Sequence, residues 1–306
     1  MTTVAAIDCG TNTIKLMVAD LDRVSGRAEV LVRESRMVRL GQDVDRTGVL
    51  ADEALERTFA AIDEYAALVA AHPVQRTRFC ATSAARDASN GAVFADGVRA
   101  RLGIEVEVVA GAEEAALSFD GAARNLRVRH PEPLLVVDIG GGSTELILGS
   151  RDGGPSAAHS MDIGSVRLFE RHFDRGPATP AQLAAAIADI DLALDSCPVP
   201  AAESATVIGV GGTIITIAAG VLGLAAYDRE LIDQAELSRE SVHVEVADLL
   251  ALSTEQRLQL PFMHPGRADV IGAGALILDR VLRRTEVEEL VVSEADILDG
   301  IAWSVA

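Results

Sequence analysis

Aromatic residues are scarce in this chain, making up 3% of its 306 residues. Without them, a core has to be built from Ala, Val, Leu and Ile, which favours strands packed against helices with small side chains. Lysine is scarcer still, because Lys15 is the only lysine among 27 basic residues. Acidic residues number 46, and the formal net charge of −19 argues against a general nucleic-acid binder, which needs a basic face.

Cysteine and long apolar runs are also lacking. The three cysteines are far apart and form no CxxC pair, so the sequence predicts free thiols in a reducing compartment rather than disulfides or a zinc site. The first residues include no basic region followed by a long apolar run, and no apolar stretch reaches 18 residues. We therefore expect a cytoplasmic protein without a membrane span.

Strand and helix patterns alternate along the chain, and its length favours two domains. Strands are predicted at 4–8, 14–20, 29–40, 78–81, 106–109, 134–138, 145–149, 156–163, 206–210 and 287–292. Helices are predicted at 52–71, 90–102, 112–124, 166–173, 180–195, from about 212, and at 267–284 and 295–304.

The pattern contains an internal repeat. Residues 6–16 (AIDCGTNTIKL) align with residues 136–146 (VVDIGGGSTEL). The alignment places Asp8, Gly10, Thr13 and Leu16 on Asp138, Gly140, Ser143 and Leu146. Such self-similarity predicts two similar α/β halves, with a cleft between them as the simplest architecture.

Each repeat puts an Asp at the end of an apolar strand, before a turn of glycine and hydroxyl residues. Successive N–H groups in such a turn bind anions, and Ser or Thr hydroxyls add donors. The candidate phosphate-binding residues are Thr11, Asn12, Thr13, Gly140, Gly141, Gly142 and Ser143. Asp8 and Asp138 then lie where a Mg²⁺ ion between phosphate oxygens needs hard oxygen ligands. Either loop alone could equally be a plain hairpin turn; the aligned pair favours phosphate.

A third glycine loop follows a predicted strand and opens a helix. It consists of Gly211, Gly212 and Thr213, and helix N-termini favour anions. It is not a dinucleotide fingerprint, because the spacing and the partner acid are absent.

These motifs, in this order, resemble the sugar kinase–heat-shock ATPase–actin superfamily, and more narrowly the Ppx/GppA phosphatase family. The matching segments are IDCGTNT (7–13), ATSAARDASN (81–90), VAGAEEA (109–115), DIGGGSTEL (138–146), GGT (211–213), GRADVI (266–271) and VS (292–293). The resemblance implies an α/β protein of two ribonuclease-H-like (actin-like ATPase) domains with an active site in the interdomain cleft. We expect these domains at 1–120 and 121–292, with a C-terminal helix at about 293–306 that can pack back on the first.

The resemblance also implies residue roles. The glutamate matching the family's catalytic residue is Glu114; about 100° of helical rotation separates it from Glu113, so only one of the two should face the attacking water. Glu145 would join Asp138 near the metal. Apart from the resemblance, Lys15 occupies the equivalent place in the first repeat, and the opposite charges at these two positions lead to the hypothesis that Lys15 binds phosphate. Arg86 would contact phosphate from a loop. Arg267 opens a predicted helix and either contacts substrate or pairs with Asp269.

Each of these residues also has an interpretation without a part in binding or catalysis. Glu113 and Glu114 would be solvated acids at a helix start, Glu145 an outward-facing acid on a strand, and Arg86 a surface arginine.

The expected activity is an exopolyphosphatase that uses Mg²⁺, with Mn²⁺ as a substitute, and acts on inorganic polyphosphate. The net charge of −19 and the lack of the further C-terminal region of long family members suggest short polyphosphate chains. Hydrolysis of the 5′ γ-phosphate of guanosine pentaphosphate, which would link the protein to the stringent response, remains open. So do a non-hydrolytic alarmone or polyphosphate sensor and a kinase of the same superfamily. We expect no nucleic-acid or membrane partner, and a homodimer is possible.

Overall fold

The computed structural model describes all 306 residues, which form two compact units. Unit 1 comprises Met1–Gly121 together with Ile297–Ala306, and unit 2 comprises Ala122–Asp296. The chain therefore leaves unit 1 within a helix and returns to it at its C-terminal end.

Eleven strands and thirteen helices make up the fold. The strands are β1 (Thr2–Cys9), β2 (Thr13–Asp22), β3 (Arg27–Met37), β4 (Arg76–Ala81), β5 (Val106–Val108), β6 (Leu134–Ile139), β7 (Thr144–Ser150), β8 (Gly154–Met161), β9 (Thr206–Val210), β10 (Glu236–Ser238) and β11 (Glu289–Val292). The helices are α1 (Val44–Thr47), α2 (Asp52–Ala70), α3 (Ser83–Asp87), α4 (Gly91–Leu102), α5 (Gly111–Arg124), α6 (Ser165–His172), α7 (Pro180–Asp195), α8 (Gly212–Val221), α9 (Arg229–Ile232), α10 (Arg239–Ala251), α11 (Thr254–Arg257), α12 (Ile271–Leu282) and α13 (Ile297–Ser304).

The sheet of unit 1 has the strand order β3-β2-β1-β4-β5. The first three strands form an antiparallel meander, and β4 and β5 continue the sheet parallel to β1. Unit 2 repeats this order as β8-β7-β6-β9-β11 and adds the short β10 antiparallel to β11. Both sheets thus have the ribonuclease-H-like order. The mixed α/β fold with two sheets confirms the predicted fold class and explains the repeat.

Strand β1 of unit 1 needs apolar side chains on both of its faces. Its residues 4–9 are buried on both faces, because alternate side chains of a strand enter opposite layers. Ala5 and Ile7 belong to one apolar cluster, and Val4 and Ala6 to another that includes Trp303 of α13. Helices therefore cover this sheet on two sides, as small side chains allow.

Most predicted elements are confirmed to within a few residues, but two predictions were wrong. Arg86 lies in helix α3 rather than in a loop. Arg267 does not open a helix: residues Pro265–Arg267 form a 3-10 turn, and α12 begins only at Ile271. No prediction was made for α1, α9, β10, α10 and α11. None of the helices has the length and apolar character needed to cross a membrane.

Substituting Gly300 with Ala is expected to destabilise unit 1. A Cβ at Gly300 in α13 would collide with the backbone carbonyl oxygen of Leu117 in α5, which cannot rotate away as a side chain can. Overpacking of this kind costs about 1–3 kcal/mol, whereas Ala in place of Gly in a helix gains at most about 1 kcal/mol. We expect a net loss, measurable as a lower urea midpoint by circular dichroism.

The matched control is Ser304→Ala, at the exposed end of the same helix, where only surface hydrogen bonds are lost. A Gly300→Ala protein as stable as the Ser304→Ala protein would show that α13 does not dock closely against α5.

Candidate active site

The second glycine loop, between β6 and β7, has its carbonyl oxygens bound from one side by the start of α6. The N–H groups of Ser165 and Val166 and Nε of Arg167 donate to the carbonyl oxygens of Gly140, Gly141 and Gly142 at 3.0, 2.9 and 2.8 Å. In a trans peptide the N–H points opposite to the C=O. The N–H groups of Gly141, Gly142 and Ser143 therefore point away from α6.

Two carboxylates lie beside this loop. Asp138 and Glu145 are direct cross-strand partners on β6 and β7, so their side chains project from the same face of the sheet. Glu145 is 1% exposed, and its Oε1 accepts a hydrogen bond from Ser160 Oγ at 2.7 Å. Glu145 is thus a buried, oriented acid, and its reading as an outward-facing strand residue was wrong.

The third loop lies against Asp138. Gly211, the N-cap of α8, has φ 89°, a conformation that favours glycine. A Cβ at this position would also lie 3.0 Å from Asp138 Oδ1. The glycine therefore lets the Asp138 carboxylate approach the backbone at the N-terminus of α8, and the second and third loops lie next to each other in unit 2.

The first glycine loop, in unit 1, is held by its carbonyl groups in the same manner. Thr11 O accepts from Gly41 N at 2.8 Å, so the N–H of Asn12 points away from that segment. The hydroxyl of Thr11 bonds to Ser83 Oγ at 2.9 Å, and Thr13 Oγ1 donates to Met37 Sδ at 3.7 Å.

Asn12 differs from the two threonines. Its side chain is 8% exposed, and its Oδ1 has no hydrogen-bond partner. Buried polar atoms are nearly always paired, so this amide is the side chain of the first loop most suited to meeting a ligand.

Asp8 already has a positive charge beside it. Lys15 is its cross-strand partner, and Lys15 Nζ lies 3.5 Å from Asp8 Oδ2. The pair is the counterpart of Asp138 and Glu145 in unit 2. The neighbouring Cys9 is fully buried, and burial together with the Asp8 charge raises the pKa of its thiol well above its ordinary value.

Glu114 and Glu113 point in different directions, as expected from the helical rotation. Glu114 in α5 is 7% exposed, and its Oε2 lies 3.5 Å from Arg86 Nη1. Glu113 is exposed and pairs with Arg78. The structure therefore rules out the reading of both as solvated helix-start acids, and Arg86 is an ion-pair partner rather than a lone surface arginine.

Arg267 lies on the N-terminus of α8. Its Nη1 donates to Gly212 O at 2.6 Å, and a Cβ at Gly212 would collide with the guanidinium group. Burial lowers the pKa of Arg267, while Glu294 and other nearby groups oppose this shift. The hydroxyl of Thr213 is directed elsewhere, because a Cβ at Gly274 in α12 would lie 2.6 Å from Thr213 Oγ1.

The donor set of unit 2 suits a hard divalent cation. No group of three or more His, Cys, Asp or Glu side chains could hold a metal ion together anywhere in the chain. Mg²⁺ does not need one, since it commonly takes one or two carboxylates and keeps several waters. Asp138 and Glu145 offer two carboxylates, and the space above Gly211 that a Cβ would fill stays open.

The sequence assigned no role to three residues that orient the loops or the carboxylates: Ser160, Arg167 and Ser83. Ser160 lies directly opposite Glu145 on β8, so the strand register would have identified it. Arg167 and Ser83 act through contacts between segments distant along the chain, for which the sequence contains no local signal.

Comparison with known proteins gives concordant results. The model of the Ppx/GppA phosphatase family matches residues 17–306. Exopolyphosphatase 2 of Mycobacterium tuberculosis (strain ATCC 25618 / H37Rv) is 43% identical over 319 residues, which cover 100% of this chain and 99% of that protein.

Two further relatives have names that describe different substrates. The crystal structure of an exopolyphosphatase-like protein superposes with a TM-score of 0.96 at 42% identity, covering 100% of this chain and 98% of that one. A guanosine-5′-triphosphate,3′-diphosphate pyrophosphatase of Vibrio atlanticus (strain LGP32) is 28% identical over 303 residues, covering 98% of this chain and 58% of that protein.

Proposed function

Since this chain belongs to the Ppx/GppA phosphatase family, we propose that it is an exopolyphosphatase that hydrolyses the terminal phosphoanhydride of inorganic polyphosphate. The observation that supports this most is the second loop. It presents three backbone N–H groups on one side, next to the carboxylate pair Asp138 and Glu145. Donors for phosphate oxygens and ligands for a divalent cation are the parts that phosphoryl transfer to water needs.

The phosphate-binding role is proposed for backbone groups more than for hydroxyls. The N–H groups of the second loop and of the start of α8 bind phosphate oxygens. In unit 1, the Asn12 amide, Lys15 and Arg86 are the proposed donors to phosphate. The hydroxyls of Thr11 and Thr13 hold the first loop in shape through Ser83 and Met37.

Glu114 is the proposed general base. It accepts a proton from a water molecule as the water oxygen attacks the terminal phosphorus, while the bond to the bridging oxygen breaks and the shortened chain leaves. Arg86, 3.5 Å from the Glu114 carboxylate, orients this base. Its remaining N–H groups can contact the phosphate that is transferred.

The proposed cofactor is Mg²⁺, with Mn²⁺ as a substitute, held by Asp138 and Glu145. When bound, the ion neutralises negative charge on the phosphate oxygens. Ser160 keeps Glu145 oriented for this role. Asp8, predicted as a further ligand, is the weaker candidate because Lys15 lies beside it.

Arg267 favours polyphosphate over guanosine pentaphosphate as the substrate. A nucleotide pocket near Gly211 and Gly212 would favour guanosine pentaphosphate, but the guanidinium of Arg267 covers Gly212 and donates to its carbonyl oxygen. Hydrolysis of guanosine pentaphosphate is the second candidate activity. The relative named guanosine-5′-triphosphate,3′-diphosphate pyrophosphatase matches 98% of this chain. The net charge of −19 disfavours very long polyanions and supports short chains. Cytoplasmic location, homodimer formation and a part in the stringent response stay predictions.

Orthophosphate release by the purified protein with Mg²⁺ tests the proposal. The substrates compared are tripolyphosphate, long polyphosphate, guanosine pentaphosphate and ATP. Faster release from the polyphosphates than from either nucleotide is expected. Tight binding of polyphosphate without release would favour a sensor, and preference for guanosine pentaphosphate would favour the second candidate.

Arg267→Ala is expected to change substrate preference. Loss of a charged hydrogen-bond donor worth about 1.5–3 kcal/mol lowers kcat/KM for tripolyphosphate by roughly tenfold or more. Activity on guanosine pentaphosphate should fall less, because the substitution also uncovers Gly212 for a nucleoside. The ratio of the two kcat/KM values is the readout, and Arg129→Ala, a surface arginine of the same unit, is the control. An unchanged ratio would show that Arg267 does not select between the substrates.

A further inference from the structure

A buried arginine lies behind the segment that carries Arg267. Arg257, the last residue of α11, is 4% exposed. Its Nε donates to Leu249 O in α10 at 2.8 Å, and its Nη1 donates to Ala268 O and Asp269 O at 3.3 Å each. One guanidinium group therefore fixes the end of α10 to the two residues that follow Arg267 in the chain.

Packing alone does not account for an arginine at this position. A charge is costly to remove from water, and apolar side chains of similar volume often replace buried ionic groups without loss of stability. Burial lowers the pKa of Arg257, and the negative charge of Asp269 opposes this shift. What an apolar side chain cannot supply is a planar set of donors that holds several backbone carbonyl groups at once.

Arg257 also lies against the first turn of α12. A Cβ at Gly272 would lie 2.7 Å from Nη2 of Arg257 and 3.1 Å from its Cζ. The guanidinium group cannot easily move aside, because its Nε and Nη1 are already bonded to backbone carbonyl groups. Gly272 therefore provides the space in which Arg257 is held.

The segment that Arg257 fixes leads directly to the third glycine loop. Arg267 precedes Ala268 in the chain, and its Nη1 donates to Gly212 O at 2.6 Å. A shift of residues 268–269 would move the backbone from which the Arg267 side chain extends. The guanidinium group of Arg267 would then leave its place at the start of α8.

We propose that Arg257 is a positioning residue, which holds Arg267 in the place where Arg267 meets phosphate. Arg257 acts through the backbone of residues 268–269, and its own guanidinium group is committed to carbonyl oxygens in the interior of unit 2. The proposal rests on the contact between Arg267 and polyphosphate in the proposed function. Loss of Arg257 should therefore weaken phosphate binding only while Arg267 is present.

Binding of imidodiphosphate, whose P–N–P bridge resists hydrolysis, tests this proposal with Mg²⁺ present and without turnover. Calorimetry on the full chain compares the wild-type protein, Arg257→Met, Arg267→Ala and the double variant. Arg257→Met should raise the Kd by roughly three- to tenfold in the wild-type background. In the Arg267→Ala background it should raise the Kd by less than about twofold, because residues that act as a unit are not additive.

The matched control is Arg280→Met, in the same unit. Arg280 of α12 donates to the Asp191 carboxylate of α7 at 2.9 and 2.8 Å, so its loss also removes an arginine that joins two helices. This contact does not involve the segment that carries Arg267. Arg280→Met should therefore leave the Kd for imidodiphosphate unchanged in both backgrounds.

Gly272→Ala is a second variant, in which the charge of Arg257 is kept. Alanine is the better helix former at this position, but its Cβ would displace the Arg257 guanidinium group. We expect a protein that is folded by circular dichroism and that has the same selective loss of affinity. This variant provides the test if Arg257→Met does not fold.

Equal losses of affinity in both backgrounds would overturn the proposal, because Arg257 would then only stabilise unit 2. Wild-type affinity in folded Arg257→Met would also overturn it, as would wild-type affinity in Gly272→Ala where Arg257→Met does not fold. If imidodiphosphate binding did not depend on Arg267, the proposal and the phosphate contact of Arg267 would fall together. Absence of phosphate release from polyphosphate, in contrast, would refute the proposed hydrolysis and leave these affinities unaffected.

Discussion

Asp138→Asn is expected to lower kcat for tripolyphosphate hydrolysis by about two to three orders of magnitude, because a bound metal ion stabilises transition-state charge by several kcal/mol. The substitution keeps the shape of the side chain and removes one negative charge from the pair with Glu145. The remaining carboxylate is oriented by Ser160 but binds a divalent cation more weakly alone. The measurement is kcat as a function of Mg²⁺ concentration, in which the variant should need far more Mg²⁺ for half-maximal rate.

The matched control is Asp152→Asn, an exposed acid of the same unit that pairs with Arg129 at the surface. It removes the same charge and should leave the Mg²⁺ dependence as in the wild-type protein. If Asp138→Asn had the wild-type rate at every Mg²⁺ concentration, the carboxylate pair would not be the metal site.

Glu114→Gln is expected to lower kcat by about 10²- to 10⁴-fold, the usual contribution of a general base. The amide fills the same buried place beside Arg86 but cannot accept the proton of the attacking water. KM should change little, since the proposed phosphate ligands are backbone N–H groups, arginine and Lys15. Steady-state kinetics on tripolyphosphate separates the two parameters.

The neighbouring residue provides the control for this effect. Glu113→Gln removes an equal charge from the same helix turn, but Glu113 is exposed and pairs with Arg78. Its variant should keep the wild-type kcat. Equal losses in both variants would indicate a general charge effect at the start of α5, and no loss in Glu114→Gln would remove this residue from the chemistry.

The repeat is the part of the fold that the sequence predicts best. Residues 6–16 and 136–146 specify two hairpins, and the strand order is the same in both sheets. Helix α10 was missed for a physical reason. Val242, Val244 and Val246 alternate as in a strand, whereas the helix buries Val242 and Val246 and leaves Val244 56% exposed. Local alternation and helical burial conflict there, and tertiary packing decides.

Only part of the candidate site could likewise be predicted from the sequence. Asp138 could be named from the residues, whereas Glu145 and Glu114 needed the family resemblance. The ion pair of Asp8 and Lys15 depends on strand register, which the sequence pattern alone left undefined. Arg267 was assigned to the wrong element, because the 3-10 turn starting at Pro265, with the His264 side chain accepting from Gly266 N, delays α12 until Ile271.

Hydrolysis of tripolyphosphate in oxygen-18 water, with wild-type protein and Mg²⁺ and mass analysis of the products, tests terminal phosphoanhydride cleavage most directly. The structure predicts orthophosphate containing the labelled oxygen, together with unlabelled pyrophosphate, because water attacks the terminal phosphorus. Label in the pyrophosphate, or tripolyphosphate that binds and is not cleaved, would contradict this mechanism.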